Sequence, residues 1–261
     1  MRLHSFPTRR SSDLAGYEPG DATWAPPPAE PFAATAAREP SRLRVGVVTN
    51  PPIDAPIDPV RAEAASAAGR LLESLGHGVE ETAVPWRNDS LLHAFTALFA
   101  PLVMLQVAFG RMINGREPEE QEMEPLSWAL WQLVGTMSAL DANLASAQLQ
   151  IFARGFHGWM DQYDVIVAPA LAEAPVLLDD VHWQTDDPMG LFARSGRFTP
   201  FTAVANVTGQ PAIAVPFDEH EGLPVAVQLF GRPAREGDLL AVATQMETAR
   251  PWAQRRPALQ T

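Results

Sequence analysis

The feature that most constrains this chain is a strand-helix-strand signature in residues 43 to 84. Leu43, Val45, Val47 and Val48 form a short apolar run closed by Asn50, Pro51 and Pro52, which predicts a buried strand. Asp58 then stands before Pro59, the pairing expected of an N-cap followed by the first helical residue. From there Val60, Ala64, Ala67, Ala68, Leu71, Leu72 and Leu75 recur at helical spacing up to Gly76, and Val79 to Val84 reads as a second strand. A helix of that length between two strands must cover a sheet, so the chain is read as a layered α/β protein.

The rest of the sequence fits such a frame. Tyr17 to Ser41 is rich in Pro and Ala and reads as an extended surface segment. Residues 90 to 162 read as mostly helical, with apolar stripes through Trp128, Trp131, Leu133 and Val134 and through Leu140, Leu144 and Leu149. Asp164 to Ala168 is a strand closed by Pro169. A short helix is expected over Phe198 to Thr208, strands over Pro211 to Pro216 and Leu223 to Phe230, and a closing helix over Glu236 to Ala249.

Composition narrows the function. The net charge of -12 is spread along the chain and argues against nucleic acid or an anionic membrane as a partner. The longest apolar stretch, Ala94 to Phe109, is expected to be interrupted by Pro101 and Gln106 and so not to span a bilayer. Cysteine is absent, which removes thiolate chemistry and disulfides and is compatible with a cytoplasmic setting. Lysine is absent too, so no lysine can act as a base, a Schiff-base former or a P-loop cation.

Three stretches carry a resemblance. Tyr163-Asp164-Val165-Ile166-Val167-Ala168-Pro169-Ala170-Leu171 is the first. Phe198-Thr199-Pro200-Phe201-Thr202, continuing through Ala205-Asn206-Val207-Thr208-Gly209-Gln210-Pro211-Ala212, is the second. The third and most specific is Gly222-Leu223-Pro224-Val225-Ala226-Val227-Gln228-Leu229-Phe230-Gly231-Arg232-Pro233, which runs into the closing helix. In order and spacing these resemble the C-terminal half of the amidase-signature family. Leu14-Ala15-Gly16, Pro19-Gly20-Asp21 and Arg44-Val45-Gly46-Val47 extend the likeness upstream, so that residues 13–261 read as the C-terminal part of an amidase domain. Residues 1–12 match nothing in the family and read as a foreign leader joined at a truncation.

The resemblance implies a mixed β-sheet flanked by helices, the C-terminal portion of an α/β/α sandwich. It implies an enzyme that hydrolyses carboxamide C–N bonds through an acyl-serine intermediate, without metal or cofactor. It also implies a pocket wall formed by the loop and helix around Phe201 and Asn206, which are the substrate-binding candidates. The family's serine nucleophile, relay serine, lysine base and Gly/Ser-rich oxyanion loop have no counterpart here, so no catalytic residue is assigned and this chain alone is expected to be inactive. The long Trp-containing helical insertion points, within the family, toward small hydrophobic or linear amide substrates, like the cyclic-amide hydrolases of nylon-oligomer breakdown. The expected partner is a small-molecule amide in the intact enzyme, with a homodimer left open as its assembly. Two other readings stand beside this one: the amidase-like subunit of a tRNA-dependent amidotransferase, and a non-catalytic α/β module that binds a small molecule.

Two further groups of residues are of ligand type. His157 and Asp161 share a helix face and read as a surface pair. Asp179, Asp180, His182, Asp186 and Asp187 read as a solvated acidic loop, and no metal site is assigned.

Overall fold

A computed structural model describes residues 16–24, 27–85, 87–180 and 185–255. The leader and His182 lie outside the described residues. One sheet organises the chain, with strands β1 (Arg44–Val48), β2 (Gly78–Thr82), β3 (Val165–Pro169), β4 (Ala212–His220) and β5 (Leu223–Gly231) in the order β2-β1-β3-β5-β4. β1 runs parallel to β2 and β3, whereas β5 is antiparallel to both β3 and β4. The mixed sheet flanked by helices is thus observed.

The helix after β1, α2 (Pro59–Ser74), begins as its residues dictate. The Asp58 carboxylate accepts the Val60 N–H at 2.8 Å, Pro59 supplies a pre-set φ, and Gly76 takes φ 98° where the chain turns back. Its buried stripe is Arg61, Ala64, Ala65, Ala68, Gly69 and Leu72. Small residues let the helix sit low on the sheet. A Cβ added at Gly69 would lie 2.5 Å from the Val47 Cγ2, so only glycine fits there. Together with Leu239, Val242 and Met246 of α8 (Glu236–Ala249), this stripe packs on Val45, Val47, Val165, Val167, Val227 and Leu229.

The opposite face is built from larger groups. Phe152, Phe156 and Met160 of α5 (Ala139–Met160), with Phe201 and Val204 at the start of α7 (Thr202–Thr208), pack on Val48, Ile166, Ala168 and Phe230. Because β3 is covered on both sides, all five of its residues are buried, which is why it reads as an unbroken apolar run.

Several boundaries differ from the sequence expectations. The Pro/Ala-rich segment is not wholly extended: α1 (Phe32–Ala36) docks Thr35 against Gly237 of α8. The apolar run near Pro101 is not interrupted. It forms α3 (Leu91–Asn114), a continuous 24-residue helix that contains Pro101 and ends at Gly115 with φ 70°. The missing Pro101 N–H removes one ladder bond, a cost tolerated where neighbouring turns stay packed on α4 (Pro125–Thr136) and α5. By length and hydropathy α3 is long and apolar enough to cross a bilayer, and 28% of its most apolar window is buried in the protein. The expected helix over residues 198–208 is two helices, α6 (Pro188–Phe198) and α7, broken at residues 199–201.

The two sheet edges are unlike. β2 is five residues long and carries exposed Glu80 and Glu81. β4 is nine residues long, exposes Ala212, Ala214 and Pro216 on one face, and is interrupted by a register shift between Pro216 and Asp218.

A cluster of polar groups ties β1 to the loop before β3. Asp164 accepts from the Arg44 backbone N–H at 2.9 Å and from its guanidinium at 3.2 and 3.3 Å, and Arg232 approaches it at 3.3 Å. Burial pushes the Asp164 carboxyl up, but the hydrogen bonds from Arg44 and the charges of Arg44 and Arg232 outweigh it and hold the carboxyl below its ordinary value. His77, also buried, accepts the Leu43 N–H on Nδ1 at 3.1 Å, so Nε2 is the protonated nitrogen facing the Gln245 Oε1 at 2.8 Å.

Candidate functional site

β1 and β3 end side by side, and a cavity of about 200 Å³ opens where the loop after β1 meets α3, α5, α6 and α7. This is where an α/β sheet characteristically offers a crevice. Pro52 and Ile53 come from the loop after β1. The first turns of α3 contribute Leu91, Leu92 and Phe95, α5 contributes Phe152, α6 contributes Phe192, Ser195 and Gly196, and the 199–207 segment contributes Thr199, Thr202 and Asn206.

α6 reaches this position through a local device already seen at α2. Asp187 accepts the Gly190 N–H at 2.9 Å and Pro188 begins the helix, repeating the Asp-Pro start at residues 58 and 59. The Ala172 N–H donates to the Phe198 carbonyl at 3.0 Å, and Arg194 pairs with Glu173 at 2.5 Å, so the C-terminal half of α6 is held to the loop after β3. α7 is held from below by His157, whose Nε2 lies 2.9 Å from the Thr208 carbonyl and therefore donates to it. His157 is thus not paired with Asp161 on the surface; its Nδ1 is buried and has no hydrogen-bond partner among the described residues.

Of the two substrate-binding candidates, Asn206 lines the cavity. Phe201 lies one layer deeper, 2% exposed, in the core cluster with Phe152, Phe156 and Val204. The aromatic walls Phe95 and Phe192 were not among the candidates. They stand nearly parallel to Phe99, with the Phe95 and Phe99 ring centres 5.3 Å apart and those of Phe99 and Phe192 6.4 Å apart. The only available signal was the Asp187-Pro188 start, which marks α6 as a helix but not which way Phe192 points.

The chemistry open to these walls is limited. Among the described residues no charged or titratable side chain lines the cavity; the polar groups there are hydroxyls and one carboxamide. The Ser195 hydroxyl donates back to the Leu191 carbonyl at 3.2 Å, and no base is placed to activate it. The site is therefore suited to hold an uncharged, largely apolar group rather than to move a proton. Among the described residues no group of three His, Cys, Asp or Glu side chains converges in a way that could hold a metal ion.

Comparison with known proteins agrees with this geometry. The profile of the amidase family matches residues 11–240. Over 258 residues the chain is 31% identical to a 6-aminohexanoate-cyclic-dimer hydrolase of Pseudomonas sp. (strain NK87), covering 94% of this chain and 52% of that protein. It is 34% identical to the putative amidase AmiB2 of Mycobacterium tuberculosis (strain ATCC 25618 / H37Rv), covering 91% of this chain and 50% of that one. The structure of 6-aminohexanoate cyclic dimer hydrolase complexed with substrate superposes with a TM-score of 0.84 at 29% identity, over 93% of this chain and 52% of the other. A bacterial aryl acylamidase shares the fold with a TM-score of 0.73 at 20% identity. The chain spans about half the length of the curated relatives it matches.

Proposed function

We propose that this chain, which belongs to the amidase family, forms the acyl-pocket half of an enzyme that hydrolyses carboxamide C–N bonds. The observation that carries the reading is the cavity at the carboxyl ends of β1 and β3: it is apolar, it bears hydroxyls and a carboxamide, and among the described residues it has no acid, base or activated nucleophile of its own. Such a wall can bind and orient one flank of an amide. It leaves the proton transfers to groups from elsewhere.

On this reading the nucleophile, the base and the oxyanion donors of the acyl-serine step come from outside these 261 residues, which hold no lysine. Asn206 touches the substrate, while Phe201 sits behind the wall and sets the height of α7 above the sheet. The chemistry needs no metal or cofactor. The substrate is a small uncharged amide, in keeping with the apolar lining and with the hydrolase relatives.

The test uses the 261-residue chain with hexanamide, following binding by calorimetry and turnover by ammonia release. Binding without turnover is the expected result. Turnover by this chain alone would overturn the division of labour, and absence of binding would overturn the pocket.

A further inference from the structure

One apolar stripe runs the length of α3, and only its first half is covered. Ala94 and Leu98 pack with Ala145 and Leu149 of α5. Leu102, Leu105, Phe109 and Met112 continue from Leu98 at steps of four, three, four and three residues, the spacing of a coiled-coil seam, yet all four are exposed. Leu102 is 64% exposed, Met112 77% and the adjoining Ile113 84%. The opposite side of the helix is already in use, with Ala100, Val103, Met104 and Val107 packed with Leu126 and Leu130 of α4.

Size and charge say what fits this bare half. Its five side chains expose roughly 700 Å² of apolar surface, more than a monomer ordinarily leaves in one patch. α3 holds no Asp or Glu, and its one arginine, Arg111, is paired with Glu117 at 2.8 Å. A charged partner would find nothing to pair with here, whereas a second uncharged seam of the same spacing interdigitates with it. Two such stripes face to face hold roughly 1,400 Å² of surface, within the range of stable interfaces.

The covered half fixes the orientation. α5 occupies the stripe beside Leu98, so two parallel copies of α3 would set one α5 against the other at the same level. Antiparallel copies place those bodies at opposite ends and bring only the bare halves together. We infer that the exposed half of α3 is an interface between two copies of this chain. It forms about a two-fold axis, with Leu105 of one copy facing Phe109 of the other and Leu102 facing Met112.

The test uses the 261-residue chain carrying Ala214→Lys, which blocks association along the β4 edge. Sedimentation velocity at concentrations up to about 100 µM should show a dimer with a roughly micromolar midpoint. Leu105→Glu and Phe109→Arg alter half-exposed positions, so each chain should still fold. Either one alone should weaken the dimer at least roughly a hundredfold, because its own pairing would bury two charges without partners. An equimolar mixture of the two should dimerise again, since antiparallel pairing sets the introduced carboxylate against the introduced guanidinium. Leu102→Arg mixed with Met112→Glu repeats the design should either first variant fail to fold. A monomeric parent overturns the inference, whether the stripe then takes up phosphatidylcholine vesicles or nothing. A dimer that both variants leave intact overturns it as well, because it must use another face, and so does a mixture that stays monomeric.

Discussion

The two faces of the sheet solve the same packing problem in opposite ways. On one face α2 presents Ala64, Ala65, Ala68 and Gly69 and lies close against the strands, so little space remains. On the other, α5 and α7 present Phe152, Phe156 and Phe201, whose rings hold the helices further out and leave cavities along their margin. Small side chains seal a face. Large flat ones prop it open, and the candidate site occupies the propped side.

The largest expected effect lies on the sealed face. Leu72 is fully buried there, so Leu72→Ala should cost about 2–5 kcal/mol of stability by chemical denaturation. Phe192→Ala, at the cavity margin, should cost roughly 1 kcal/mol, below the usual loss for a buried ring, because part of the ring already faces empty space. Equal losses would abolish the distinction between the faces.

Gly69→Val comes next. Its new side chain meets Val47 and must lift α2, for about 1–3 kcal/mol, while hexanamide binding on the far side should be unchanged. A smaller effect of opposite sign is expected at Arg61, which shares the sealed stripe yet is 3% exposed, with no hydrogen-bond partner for Nε and no ion pair among the described residues. Arg61→Met should raise stability by about 1 kcal/mol, since a buried Nε–H without a hydrogen-bond partner among the described residues is replaced by an apolar group of similar length. A fall in melting temperature would show that the guanidinium has a partner.

The smallest effect is a matter of pH. The Asp164 carboxyl titrates lower in the folded protein than in the unfolded chain, so the stability it contributes is present above the ordinary carboxylate range. That stability is lost as pH falls through its depressed folded value. Denaturation midpoints measured from neutral pH down to about pH 3 should fall less steeply for Asp164→Asn than for the parent chain. Parallel curves would remove Asp164 from the acid response.

How legible all this was depended on whether the signal was local. Asp58-Pro59, the apolar run of β3 and the closing helix report on their own neighbours and could be read directly. The break at residues 199–201 and the passage of α3 through Pro101 are decided by what packs beside them, and propensity alone misplaces both. The same holds at the site. Asn206 was found through a motif, yet Phe95 and Phe192 come from helices nearly a hundred residues apart and meet only once the layers are assembled. His157 looked like a surface residue because its partner is a backbone carbonyl, which leaves no mark in the side-chain pattern.

The long outer strand β4 has a bearing on how the protein behaves in the test tube. Over residues 212–216 its outward backbone groups stand beside small apolar side chains, and acidic Asp218 and Glu219 come only after the register shift, whereas β2 carries Glu80 and Glu81 within its five residues. A concentrated solution would therefore scatter more light than a dilute one in proportion, as copies zip together along this margin. A single lysine in place of Ala214 should keep the solution clear.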